Sequence, residues 1–207
     1  MSTPPKTVLQ ASPEEAAAIR EAVRNADVAS LGERCVAAGC EHVAGLYELL
    51  KDPAVSGPIL SAPSPVTEPI VEAWVRDAFD RRRAGEAILA VQLDEAGGVA
   101  GYRHFTIWPE RASATIAGAQ RADRQGLGFG KRGAARSFDW MFDELGVRLI
   151  AVTAAIDNVR SARVIEAAGF SAMGELDCIR PDGTVRWSRY WEMTRDAWLD
   201  RRRSHAG

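Results

Sequence analysis

The chain has 207 residues, 46% of them hydrophobic, with a formal net charge of −2 and three cysteines. That is enough for one domain with its own core and short for two. The charge balance lacks the basic footprint of a nucleic-acid binder. No apolar run is long enough to span a bilayer, and the opening Met1-Ser2-Thr3-Pro4-Pro5 lacks the charged start and apolar core of a signal peptide. Cys35, Cys40 and Cys178 are a sparse, odd set that suits a reducing cytoplasm better than a disulfide scaffold. With no second Cys/His pair at zinc-ligand spacing, no metal site is expected.

Met1 to Gln10 reads as a disordered stretch or an arm. Ser12-Pro13-Glu14-Glu15 then supplies an N-cap, a proline at the first helical position and a capping-box glutamate. The helix should reach about Ala26, with Ile19, Ala22, Val23 and Ala26 inward. Glu33 to Ala38 is a short candidate strand, and Glu41 to Lys51 a helix with Val43, Leu46, Tyr47 and Leu50 on one face. Asp52 to Pro69 holds five prolines and reads as a long loop. Ile70 to Ala84 is helical, its buried stripe Val71, Trp74, Val75, Ala78 and Phe79. It ends in Arg81-Arg82-Arg83, a solvated end that complements the helix dipole or, alternatively, a contact for an anionic ligand. Ala87 to Leu93 and Val99 to Trp108 read as strands joined by the turn Asp94-Glu95-Ala96-Gly97-Gly98, and Ser113 to Arg121 as a third. Alternation puts Tyr102, His104, Thr106 and Trp108 on one face, either packed or touching a ligand.

Next comes Gln125-Gly126-Leu127-Gly128-Phe129-Gly130. Its alternate glycines let the backbone approach a ligand closely. In Lys131 to Leu145, Ala134, Phe138, Met141, Phe142 and Leu145 recur at helical spacing. The glycines therefore precede a helix N-terminus, where unpaired amides and the positive dipole end suit a phosphate. The plainer alternative is a tight strand-to-helix turn. The pattern is not G-x-G-x-x-G, because the third glycine comes early, nor a Walker loop, because Arg132 follows Lys131. A strand from Val147 to Ile156 follows, then Asp157-Asn158-Val159-Arg160-Ser161, a helix through Ala168, and Gly169-Phe170. Two last strands, Phe170 to Cys178 and Val185 to Met193, flank a turn at Pro181-Asp182-Gly183. The basic tail from Trp198 to Gly207 is expected to fray.

Gln-x-x-Gly-x-Gly, helix, strand, Asn-x-x-Ser, short helix and Gly-Phe together resemble the acyl-CoA-binding core of the GNAT N-acetyltransferases. The chain is most similar to the Rim-type branch, the ribosomal-protein N-terminal acetyltransferases, which shares the Asp182-Gly183 turn, the strand to Met193 and Thr194-Arg195-Asp196-Ala197-Trp198. The resemblance implies an α/β (α+β) fold, the GNAT fold: a mixed central sheet of about seven strands flanked by helices, here with an extra N-terminal helix. Residues 1–30 would be the arm and that helix, 31–198 the acetyltransferase domain and 199–207 the tail.

By the same resemblance the fourth and fifth main strands splay apart around the pantetheine arm of acetyl-CoA. Backbone groups of Ala119, Gln120 and Arg121 would meet that arm. Gln125, Gly126, Leu127, Gly128, Phe129, Gly130 and Lys131 would hold the pyrophosphate. Asn158 would help bind the cofactor, and Ser161 would be the acid that protonates the leaving thiolate, with helix capping the plain alternative for both. Many relatives have a tyrosine acid where Ile165 stands and a glutamate where Thr115 stands. The base is therefore open among Glu175, Asp177, Glu192 and water.

The implied function is acetyl transfer from acetyl-CoA to a primary amine, of a protein N-terminus or a small molecule. The alternatives are an antibiotic or small-molecule acetyltransferase, or a non-catalytic acyl-CoA sensor. A site with no dedicated base suits an α-amine, whose pKa is about 8, better than lysine at about 10.4. The 52–69 loop would wall the acceptor site, and the extra helix is compatible with a monomer or a homodimer.

Overall fold

The computed structural model describes residues 4–124 and 129–206. Helix α1 (Pro13–Asn25) starts where its cap predicts, with the Ser12 hydroxyl accepting the Glu15 amide at 3.2 Å. It is followed by β1 (Cys35–Ala37), α2 (Val43–Leu50), the single turn α3 (Pro53–Ser56) and α4 (Glu68–Ala84). Strands β2 (Ala87–Leu93), β3 (Val99–Trp108) and β4 (Ser113–Gln120) form a meander. Then α5 (Phe129–Asp143) crosses to β5 (Leu149–Ala155), and α6 (Val159–Ala167), β6 (Ser171–Ile179), β7 (Val185–Thr194) and α7 (Arg195–Ala206) complete the chain. The strands make one sheet in the order β1-β2-β3-β4-β5-β7-β6. Every pairing is antiparallel except β4 with β5.

Each face of the sheet has its own core, as two-residue alternation requires. Phe105, Ile107, Ile150, Val152, Trp191 and Met193 pack with α1, α5, α6 and α7 on one face. Leu89, Val91 and Tyr102 pack with α2, α3 and α4 on the other. Thr153, Arg186, Ser188, Tyr190 and Glu192 alternate with the first set and so belong to the α2/α4 face.

Several sequence expectations change. Pro53 and Pro69 lie in the first turns of α3 and α4, where a missing amide costs nothing, so the loop shrinks to 57–67. Phe79 is exposed, while Val71, Val75 and Ala78 carry the α4 contact. The tail is helical rather than frayed: Trp198 stacks on Phe142 and donates to Asp139, and Arg202 pairs with Asp143. The arm is tied down by its backbone. Tyr190 accepts the Lys6 amide, Glu192 accepts the Thr7 amide, and Arg148 donates to the Gln10 carbonyl. The arginines ending α4 fasten it to neighbours, Arg82 through the Ala26 carbonyl and Arg81 through that of Glu86. No helix among the described residues is long and apolar enough to cross a membrane, and no described Cys, His, Asp and Glu side chains cluster as a metal site would need.

Candidate active site

Strands β4 and β5 begin side by side and then part. Ser113, Ala114 and Thr115 pair with Leu149, Ile150 and Ala151, and the pairing stops there. β4 continues along β3 as far as Gln120, and β5 continues along β7 as far as Ala155. Antiparallel strands turn alternate residues toward each neighbour. The Arg121 amide donates to the Ala100 carbonyl at 2.8 Å, which fixes the phase. Ala117 and Ala119 therefore exchange hydrogen bonds with β3, while Ile116 and Gly118 turn their main-chain groups toward the gap.

A cavity of about 880 Å³ opens at this split. Ser137 and Phe138 of α5 and Asn158, Ser161 and Ile165 of α6 line it from one face of the sheet. Thr115, Thr153, Arg186, Tyr190 and the 57–61 loop line it from the other. Space thus passes through the sheet, joining the N-terminal two-thirds of α5 to the loop and arm on the opposite side. Edge amides and carbonyls there can pair with an extended, amide-bearing ligand as a further strand would. Glycine at position 118 allows the close approach of β4 to β3, since a Cβ there would meet the Tyr102 carbonyl oxygen at 2.5 Å. The pantetheine arm of acetyl-CoA has the shape and the amides for this groove.

The sequence profile of the acetyltransferase (GNAT) domain matches residues 38–171, most of the chain. The chain belongs to the GNAT acetyltransferases. Its reaction is transfer of an acetyl group from acetyl-CoA to an amine. Solved structures with the same fold include the ribosomal-protein-S5-alanine acetyltransferase from Vibrio fischeri. That match has a TM-score of 0.67 and 16% identity, over 79% of this chain and 93% of the other. The ribosomal L7/L12 alpha-N-protein acetyltransferase RimL, in complex with coenzyme A, has a TM-score of 0.69 and 20% identity over 81% and 97%. A spermidine N-acetyltransferase SpeG chimera from Vibrio cholerae and hSSAT has 0.67 and 18% over 80% and 97%. None of the curated proteins matches in sequence.

In this acetyltransferase the anticipated site residues fall into three groups. Ala119 and Gln120 line the cavity, but the main-chain groups of Ala119 pair with Tyr102 of β3 and do not face the gap. Arg121 does not serve it with its backbone, because its amide goes to Ala100 and its carbonyl accepts the Arg124 amide. Its side chain pairs with Asp94 and Asp123. Gln125, Gly126, Leu127 and Gly128 lie outside the described residues, as do the side chains of Phe129, Gly130 and Lys131. Asn158 caps α6, its Oδ1 accepting the Ser161 amide at 3.0 Å, and both residues also line the cavity.

None of the three carboxylate candidates for the base lines the cavity. Glu175 and Asp177 alternate with Leu176 and Cys178 on β6, and only the latter two line it. Glu175 accepts from Trp187 Nε1 at 2.8 Å on the outer side. Glu192 is buried and occupied by the Thr7 amide, the Thr7 hydroxyl and the Tyr190 hydroxyl. Tyr102, on the face flagged from sequence, does reach the cavity. His104 packs on Trp74 instead, its ring centroid 5.4 Å away, and burial pushes its pKa down to about 4.

Sequence reasoning passed over Lys6, Arg186 and Tyr190. Alternation along β7 could have grouped Arg186 with Tyr190, but nothing in the sequence links that strand to the 57–61 loop or to the arm.

Proposed function

We propose that this acetyltransferase acylates an α-amine, of a protein N-terminus or a small molecule, and does so without a dedicated carboxylate base. One observation carries the reading. Among the described residues lining the cavity, Asp157 is the sole carboxylate, against Lys6, Arg103, Arg160, Arg180 and Arg186. Surrounding positive charge disfavours an ammonium ion and lowers a bound amine's pKa. An α-amine, starting at about 8, then binds mostly neutral near pH 7, whereas a lysine side chain at about 10.4 needs a far larger shift. A polycationic acceptor meets like charge throughout.

In this reading acetyl-CoA supplies the activated thioester. The edge groups of Ile116 and Gly118 hold its arm, and the amides from Gln125 through Lys131, running into the first turn of α5, hold its diphosphate. Asn158 keeps the start of α6 in place and contributes to the cofactor arm. The Ser161 hydroxyl gives a proton to the departing sulfur. Three free thiols, Cys35, Cys40 and Cys178, favour a cytoplasmic protein.

Thiol release from acetyl-CoA across a panel of amines tests the proposal. Peptide α-amines should give the highest kcat/KM, followed by lysine side chains, with spermidine last. Preference for spermidine would overturn it.

A further inference from the structure

Among the described residues, Arg186 has no carboxylate ion-pair partner. It is 8% exposed and forms part of the cavity wall on the α2/α4 face. Its Nε donates to Ser188 Oγ at 2.9 Å, one terminal nitrogen to the Pro58 carbonyl at 2.8 Å, and the other to Thr153 Oγ1 at 3.2 Å. All three acceptors are neutral. Among the described residues no carboxylate pairs with it: its cross-strand neighbour Cys178 and the more distant Asp157 favour its charge, and Arg180 opposes it. A buried cation with neutral partners alone has lost its hydration with nothing to replace it electrostatically. A guanidinium also has more N–H donors than these three bonds use.

The surroundings hold this group ready for a ligand. Arg180 donates to the Gly57 carbonyl at 2.7 Å and to the Ile59 carbonyl at 3.2 Å, so two arginines of the β6–β7 hairpin clamp the 57–59 segment. Thr153, which Arg186 touches, stands on β5 where that strand has left β4. An anion on Arg186 would therefore lie beside the split in the sheet. The planar fork of a guanidinium matches a carboxylate better than a single-point acceptor.

We infer that Arg186 anchors a carboxylate of the acceptor, so that the favoured substrate is an α-amine with a carboxylate a few bonds from its nitrogen. The inference rests on the α-amine reading above and narrows it. If Arg186 only fastened the loop, its loss would affect charged and uncharged acceptors alike.

Matched amines differing in one charge separate these roles: aspartyl-alanine amide against asparaginyl-alanine amide. In the wild type the acid should be favoured about tenfold or more, expressed in KM. Arg186→Met should bring the ratio to within about twofold, whatever its effect on the neutral amine's own rate, and Arg186→Lys should retain part of the preference. No preference in the wild type, or an equal loss on both members of the pair in Arg186→Met, overturns the anchor. Calorimetry with the N-acetylated dipeptide amides reads the same contact without turnover. Tighter binding of the aspartyl form by the wild type alone supports the anchor, and equal binding refutes it. Absence of thiol release with every amine, by contrast, would count against the α-amine reading and leave the calorimetric result to decide the anchor.

Discussion

Replacing Tyr190 by Phe removes one oxygen where the N-terminal arm meets the sheet. That oxygen donates to the Glu192 carboxylate and accepts the Lys6 amide at 2.8 Å. Burial, with Glu192 beside it, raises the phenol's pKa above its ordinary value, so it stays a donor at any working pH. Without it, Glu192 keeps only the bonds from Thr7. A hydrogen bond to a charged group contributes about 1.5–3 kcal/mol, so the arm should undock about 10- to 150-fold more often. The aromatic ring remains, and with it the contact of Lys6 Nζ, 5.1 Å from the ring centroid. Hydrogen exchange at the Thr7 amide measures the effect directly. Because Pro4 and Lys6 line the cavity, the KM for the amine should also change while that for acetyl-CoA stays put. Thr7 exchange within twofold of wild type would show that the phenol does not hold the arm.

Ser161→Ala should lower kcat about 100-fold, within the usual range for general acid catalysis, and leave the KM for acetyl-CoA nearly unchanged. A normal kcat would reduce Ser161 to a capped position in the first turn of α6. For His104 the pKa falls from an ordinary 6.5 to about 4 because burial disfavours the charged ring, with Arg81 adding to the effect. The unfolded chain then binds the extra proton at a higher pH than the folded one. The stability tied to neutral His104 is complete above about pH 6.5 and is lost as the pH falls toward about 4, a change of about 2 kcal/mol between pH 7 and pH 5. Urea unfolding at the two pH values should show this drop, and His104→Phe should remove it.

Much of the architecture was legible because it rests on local patterns. Ser12 and Pro13 announce α1, the Asp94–Gly98 turn sets the β2–β3 hairpin, and the apolar spacing through Phe138, Met141 and Phe142 defines α5. The misreadings came where one residue type has two local uses. Pro53 and Pro69 break a helix when interior and start one when first, and only the following residues' packing separates the cases. Trp198 looked like the start of a loose tail because Phe142 and Asp139, its partners, are far away in sequence. On the donor side, Gln120, Asn158 and Ser161, spread from β4 to α6, come to line one cavity, while Arg121 does not serve it. The acceptor side was not legible, because it is assembled from the arm, the 57–61 loop and β7. Glu192 illustrates the difficulty: in sequence it is a free carboxylate near the site, and in the fold the arm has already claimed it.

The central claim is that main-chain groups along the split edge of β4 and running into the first turn of α5 bind acetyl-CoA. Calorimetric titration with acetyl-CoA, followed by hydrogen exchange on the complex, tests it most directly. Saturable heat is expected, together with protection of the Ile116 and Gly118 amides and of those from Gln125 to Lys131. No heat, or binding that leaves these amides exchanging as in the free protein, would contradict it.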